Sequence, residues 1–190
     1  MTFDLVLALA LFATSITLQA GPNNMLLMIS GLNFGVAGSM PIIAGFATGF
    51  AGMLLLSSLG IAGLFALYPP LHTVLKALSV MYLLFIAWKV ASSSPRAVGD
   101  TPARAFTFWD GFTAQTTGPQ GWMFAISMVT AYTIPGSLSA SIAVVVAVCT
   151  AARFIGASAW VGLGSALRVA LRNPALVRAF NMTMAGVMLV

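Results

Sequence analysis

Apolar residues dominate this chain in long runs, which are interrupted by short segments rich in glycine, proline and polar residues. A helix of about 20 apolar residues is long enough to cross the roughly 30 Å hydrocarbon core of a bilayer. The pattern therefore predicts six membrane spans, near residues 4 to 32, 39 to 66, 71 to 91, 109 to 131, 138 to 167 and 174 to 190. The last span stops at Val190 and is barely long enough to cross, so a truncated C-terminal helix is an open alternative.

The segments between the predicted spans indicate a single transmembrane domain, residues 1 to 190, built from two halves. Most of them are short: GLNFGVAGS, LYPP, YTIPGS and RVALRN. Only residues 92 to 106 form a segment long enough to be a linker. The first three spans then form one half, residues 1 to 91, and the last three form the other, residues 107 to 190.

Composition and charge support this division and orient it. The chain is 60% hydrophobic and 6% charged, which excludes a soluble domain of this size. The net charge of +5 does not indicate a nucleic-acid partner, because the basic residues lie at the ends of spans and form no stripe. They collect in the third and fifth loops, which the positive-inside rule places in the cytoplasm, with both termini outside. These residues are Lys89, Arg96, Arg104, Arg168, Arg172 and Arg178.

Two Gly-Pro pairs interrupt the first span of each half at corresponding positions. GPNNMLLMIS, residues 21 to 30, and GPQGWMFAIS, residues 118 to 127, align without a gap and both end in Ile-Ser. Because each half has three spans, a second copy would enter the membrane upside down. The sequence therefore predicts an all-α membrane protein of two inverted three-helix repeats with broken first helices, as in transporters of that construction.

Proline removes a backbone donor and interrupts a helix, which lipid tolerates only where the freed groups face protein or a water-filled cavity. With Gly21 and Gly118 as caps, and Pro22 and Pro119 in the first turn, two half-helices would begin inside the membrane with their positive ends exposed. The surrounding residues are candidates for binding an amino acid: Thr17, Gln19, Asn23, Asn24, Gln115, Thr116, Thr117 and Gln120. The alternative is a packing kink whose broken backbone bonds are satisfied by these side chains.

Arg153, Lys76 and Asp110 are charged residues within predicted spans, and each requires a reason, since a charge at the bilayer centre costs about 2.5 to 3.5 kcal/mol. Arg153 is a candidate carboxylate partner in a cavity; a structural ion pair or a side chain reaching the interface is the alternative. Lys76 and Asp110 are candidates for ion coupling, although Lys76 could reach water and Asp110 could start a helix. No acidic residue occurs near Gly21 or Gly118, so small neutral amino acids are the expected substrates.

Other function classes find little support in the sequence. One histidine and one cysteine cannot build a metal site, and no HExxH, GxSxG or paired-carboxylate pattern is present, so neither an enzyme nor a cofactor is expected. A structural or assembly subunit remains an alternative, and it predicts no cavity around Pro22 and Pro119. Gly45 and Gly49 are spaced for close helix approach, either in a homodimer or within one protomer.

Four segments of the chain resemble the LysE/RhtB amino-acid exporters, particularly those for homoserine, threonine, cysteine and O-acetylserine. The segments are AGPNNMLLMISGLNFG, GFATGFAGMLLLSSLGIAGL, LHTVLKALSVMYLLFIAWKVASS and FWDGFTAQTTGPQGW. The resemblance covers nearly the whole chain. It implies export of amino acids across the bacterial inner membrane, with coupling to the proton gradient.

The chain departs from the family pattern at two places that concern the substrate. Many members have Asn-Pro-Lys where this chain has Gly118-Pro119-Gln120, so a lysine that could touch substrate is absent. Exporters of basic amino acids often have an aspartate where this chain has Phe50. The resemblance therefore implies a neutral substrate, with export of basic amino acids as the alternative.

Overall fold

A computed structural model describes residues 1–61 and 105–170 of the chain, together with seven single positions elsewhere. Those positions are Ala77, Met81, Leu84, Trp88, Ala179, Met182 and Thr183. The third and sixth predicted spans therefore lie outside the described residues, apart from these positions. The same is true of Lys76 and most of the linker.

All regular structure in the described residues is helical, as the hydrophobic pattern predicts. In the first half, α1 covers Phe3–Leu18, α2 covers Pro22–Gly38 and α3 covers Met40–Leu56, continued by a π-helical turn at Ser57–Ile61. In the second half, α4 covers Phe108–Thr117 and α5 covers Pro119–Tyr132; a 3₁₀ turn at Pro135–Ser137 leads into α6, Leu138–Ala170. A proline lies in the first turn of α2, α3 and α5, where its missing N–H costs no helical hydrogen bond.

Two helices in the described part of the chain are long and apolar enough to cross a membrane. They are Met40–Gly60, which joins α3 to the π-helical turn, and Leu138–Leu167 within α6. The pair α1 and α2 also passes this test, with a bend of 68° between its members, and would be a third span if the bent pair is counted as one. The chain is thus a helical membrane protein; the inverted relation between its halves stays a prediction.

The long helix α6 is the centre of the packing. It lies against α1, α2 and α3, while α4 packs on α3. Glycines permit the closest crossings: a Cβ at Gly31 would overlap the Val161 carbonyl, and one at Gly164 would overlap the Met28 carbonyl. The crossing of α3 and α4 is built in the same way by Gly45 and Gly111.

The prediction of a loop at residues 31 to 39 is wrong. The helix α2 continues to Gly38, with a local kink at Gly35, whose φ of 70° is in the region that favours glycine. Ser39 supports this short connection, because its hydroxyl donates to the Gly35 carbonyl and pairs with the Ser30 hydroxyl at 2.7 Å. The glycines in this segment therefore serve close packing and a kink rather than an open loop.

Gly45 and Gly49 pack within the chain. A Cβ at Gly45 would overlap the Phe108 carbonyl, and one at Gly49 would lie 3.2 Å from the Gln115 Cβ. Both glycines thus serve the contact between α3 and α4. A homodimer stays a prediction, and it would need another surface.

Candidate functional site

The helix is interrupted between α1 and α2, at residues 19 to 21, and the Asn24 side chain forms hydrogen bonds across this break. Its Nδ2 donates to the Thr17 carbonyl at 2.8 Å and to the Gln19 carbonyl at 2.7 Å. These carbonyls lie at the end of α1, where intrahelical donors run out. Asn24 is buried. This one side chain of α2 therefore supplies hydrogen bonds to two backbone carbonyls at the end of α1.

The second break, between α4 and α5, has a corresponding arrangement. Trp122 of α5 donates from Nε1 to the Thr116 carbonyl near the end of α4, at 2.8 Å. Gly118 is both the C-cap of α4 and the N-cap of α5, and Pro119 is the first residue of α5. The cap residues of α2 and α5 are both glycines, Gly21 and Gly118, so neither has a side chain to cap the first amide groups of its helix. Both helix starts therefore retain donors with a positive helix end behind them.

Arg153 of α6 joins the two breaks. Its Nη1 donates to Asn24 Oδ1 at 2.9 Å, and its Nε donates to Gln115 Oε1 at 3.1 Å. The Arg153 Cζ also lies 4.7 Å from the centroid of the Phe46 ring, a cation–π distance. The side chain is only 6% exposed, so one buried guanidinium is held by an amide from each half of the chain.

A cavity of about 300 Å³ lies where the two breaks and Arg153 meet. This volume is at the lower end of the roughly 300 to 1,000 Å³ common for small-molecule sites. Most of the residues predicted from sequence to bind substrate line it: Thr17, Gln19, Gly21, Pro22, Asn23, Asn24, Gln115, Thr117, Gly118, Pro119, Gln120 and Arg153. Thr116 is not among the lining residues, and its backbone carbonyl accepts from Trp122. Among the described residues, none of those lining the cavity is acidic.

Of the two residues predicted to serve ion coupling, only Asp110 belongs to the described part of the chain. Asp110 forms a capping box at the start of α4: its Oδ2 accepts from the Thr107 amide at 2.7 Å, and its own amide donates to the Thr107 hydroxyl. Asp110 does not line the cavity in the described part of the chain. Lys76 lies outside the described residues. A coupling role for either residue stays a prediction.

Of the apolar wall of the cavity, the sequence pointed only to Phe50, as a departure from the family pattern; Phe124 and the partners of the polar groups were missed. Phe50 and Phe124 line the cavity, and Phe46 faces Arg153. Gln115 Nε2 is 3.8 Å from the sulfur of Met53. One signal was available: Phe124 follows Gln120 by four residues on α5, so the two share a helix face.

Two glycines make room for this site. A Cβ at Gly156 would lie 2.6 Å from the Thr17 hydroxyl oxygen, so glycine lets the end of α1 approach α6 three residues after Arg153. A Cβ at Gly121 would lie 2.9 Å from Gln115 Nε2, so glycine at the start of α5 leaves space for that amide. These two glycines therefore let the end of α1 and the start of α5 lie close to the Arg153 guanidinium.

The cavity offers complementary chemistry to a zwitterion. Arg153 and the uncapped amides of α2 and α5 are donors for a carboxylate. The side-chain oxygens of Gln19, Asn23 and Gln120 are acceptors for an ammonium group. A cavity that offers several polar groups between interrupted helices of a membrane protein is typical of a transport protein.

Comparison with known proteins also indicates a transport protein. Residues 14–190 match the family model described as LysE type translocator, and the chain therefore belongs to that family. It is a translocator family, which indicates a transport protein rather than an enzyme.

Curated relatives carry a more specific name. The chain is 27% identical to a cysteine/O-acetylserine efflux protein of Escherichia coli strain K12 over 80% of its own length and 77% of that protein. A protein of the same name from Klebsiella pneumoniae is 27% identical over 71% of this chain and 68% of its own length. One from Salmonella choleraesuis is 29% identical over 62% of this chain and 60% of its own length. No solved structure matches the chain.

Proposed function

We propose that this protein exports small, mostly neutral amino acids or their derivatives across the bacterial inner membrane. The observation that carries the proposal is the cavity in which both Gly-Pro breaks meet beside Arg153. Membership of the LysE type translocator family and the names of the curated relatives support it. A structural or assembly subunit is less favoured, because that alternative predicts no cavity around Pro22 and Pro119.

The charge of the cavity favours neutral substrates over basic ones. Arg153 contributes a positive charge, and no acid lines the cavity within residues 1–61 and 105–170. A lysine or arginine side chain would bring a second positive charge close to the buried Arg153 guanidinium, which is unfavourable. A small neutral side chain would instead face Phe50 and Phe124.

Transport is proposed to occur by alternating access around this cavity. Each break divides a predicted first span, and Arg153 is bound by an amide from each half of the chain. Rocking of the halves about the breaks would expose the cavity to one side and then the other. The proposed orientation places both termini outside, and the energy source is proposed to be the proton gradient.

Efflux from loaded vesicles tests the proposal. The purified full chain is reconstituted into vesicles preloaded with labelled threonine, cysteine or arginine, and vesicles without protein serve as the control. We expect efflux of threonine and cysteine above the control, with arginine at the control level. Selective arginine efflux would contradict the neutral substrate class, and no efflux of any of the three would favour the assembly subunit.

A further inference from the structure

Arg153 is a buried cation that lacks an anionic partner among the residues the structure describes. In that part of the chain its hydrogen bonds go to two neutral amide oxygens, Asn24 Oδ1 and Gln115 Oε1. A guanidinium has five N–H donors in a planar fork, so these two bonds leave others for a ligand. The side chain lines the cavity, which directs this unused capacity toward whatever the cavity binds.

The same guanidinium bridges the two halves of the chain. Asn24 belongs to α2, which follows the first break, and Gln115 belongs to α4, which precedes the second. Asn24 is also bound to the end of α1 through the Thr17 and Gln19 carbonyls. The hydrogen bonds of Arg153 and Asn24 therefore connect α1, α2, α4 and α6 at one point.

A carboxylate would compete successfully for this guanidinium. Hydrogen bonds from arginine to a carboxylate carry charge on both partners and can form in parallel pairs, so they are stronger than bonds to neutral amides. The exchange also compensates a buried charge that the amides only solvate. The amide oxygens released in this way become acceptors beside the carboxylate, where an ammonium group of a zwitterion would lie.

We propose that Arg153 is a ligand-operated latch between the two broken helices, and that a free carboxylate on the substrate opens it. The substrate carboxylate replaces Asn24 and Gln115 on the guanidinium, which ends the bridge between α2 and α4. The latch rests on the proposed function, since it names the substrate group that this cavity requires. It follows that amino acids with a blocked carboxylate bind poorly, whatever their side chain.

The wild-type chain tests the requirement for a carboxylate without any substitution. Labelled cysteine is bound to the purified chain in detergent and displaced with unlabelled cysteine or with cysteine methyl ester, which keeps the ammonium group but has no carboxylate. We expect the ester to displace the label at least tenfold more weakly than cysteine. Equal displacement by the two compounds would overturn the latch.

A near-isosteric variant tests the exchange at Arg153 itself. Gln115→Glu places a permanent carboxylate beside the guanidinium, so it should compete with the substrate while strengthening the contact between α4 and α6. We expect thermal stability at or above that of the wild type together with at least a tenfold loss of cysteine binding. Wild-type binding by a well-folded Gln115→Glu chain would overturn the proposal, and if that variant does not fold, the ester experiment decides.

A matched control separates this effect from a general disturbance of α6. Thr150 lies three residues before Arg153 on the same helix and lines a different, apolar cavity between α3 and α6. Thr150→Val keeps its shape, and we expect cysteine binding to be unchanged. If the wild type neither binds nor exports cysteine or threonine, the proposed function has failed. If the wild type exports them, the ester displaces cysteine as well as cysteine itself does, and Gln115→Glu binds cysteine like the wild type, then only the latch has failed.

Discussion

At the scale of single residues, Asn24 performs two tasks that sequence reasoning treated as alternatives. It closes the broken end of α1 through two backbone carbonyls, and it accepts a hydrogen bond from Arg153. Loss of a buried hydrogen-bonding partner costs about 1 to 3 kcal/mol. Asn24 therefore contributes to the stability of the fold as well as to the site, and its replacement would confuse the two.

Asn23 and Gln120 allow the two contributions to be separated. They line the cavity, one from each half-helix start, and Gln120 is exposed. We expect Asn23→Ala and Gln120→Ala each to abolish efflux of labelled cysteine, while changing the free energy of unfolding by no more than about 0.5 kcal/mol. Asn24→Ala, measured in parallel, should lose both efflux and stability. Unimpaired efflux in both Asn23→Ala and Gln120→Ala would contradict the assignment of the cavity.

At the scale of helices, glycines at the crossings determine how closely α2, α3, α4 and α6 approach. The crossing of α2 and α6 depends on Gly31 and Gly164, each of which faces a carbonyl group of the other helix. Backbone is much less able to move aside than a flexible side chain. Even one added methyl group must therefore separate the helices.

Gly164→Ala is expected to destabilise the chain by about 1 to 3 kcal/mol, the usual cost of overpacking. Gly162→Ala is the matched control, because it lies on the same helix and a Cβ there would meet no atom within 4 Å. Thermal or denaturant unfolding of both variants in the same detergent gives the comparison. Equal stabilities for the two variants would show that the crossing does not depend on Gly164.

The sequence predicted those features of the helices that depend on local chemistry. The described spans follow from runs of apolar residues, and the ends at Leu18 and Thr117 lie next to Gly-Pro pairs. The role of Gly31 could not be predicted, because a glycine that permits close packing and a glycine that opens a loop look alike until the opposite helix is known. The partners of Arg153 were equally hidden, since Asn24 is 129 residues away and Gln115 is 38 residues away along the chain.

At the scale of the whole molecule, the proposed orientation follows from basic residues in the third and fifth loops. It places the connection between α5 and α6 outside the cell and the connection between α2 and α3 in the cytoplasm. Gly136 is exposed in the first of these, and a Cβ there would meet no atom within 4 Å. Ala37 is exposed near the second. The native Cys149 is buried, which limits background reaction with thiol reagents.

Labelling with a membrane-impermeant maleimide tests this orientation. In intact cells we expect Gly136→Cys to be labelled, whereas Ala37→Cys should react only after the membrane is permeabilised. The wild-type chain is the control for reaction at Cys149. The opposite pattern would reverse the proposed orientation while leaving the cavity and its chemistry unchanged.

The two helix breaks and Arg153 are proposed to form one binding site for the carboxylate of an amino acid. An experimental structure of the full chain with bound cysteine tests this most directly. We expect the cysteine carboxylate within hydrogen-bonding distance of Arg153, between Gly21 and Gly118, with Asn24 and Gln115 no longer both bound to the guanidinium. Cysteine bound elsewhere, with the two amides still on Arg153, would contradict it.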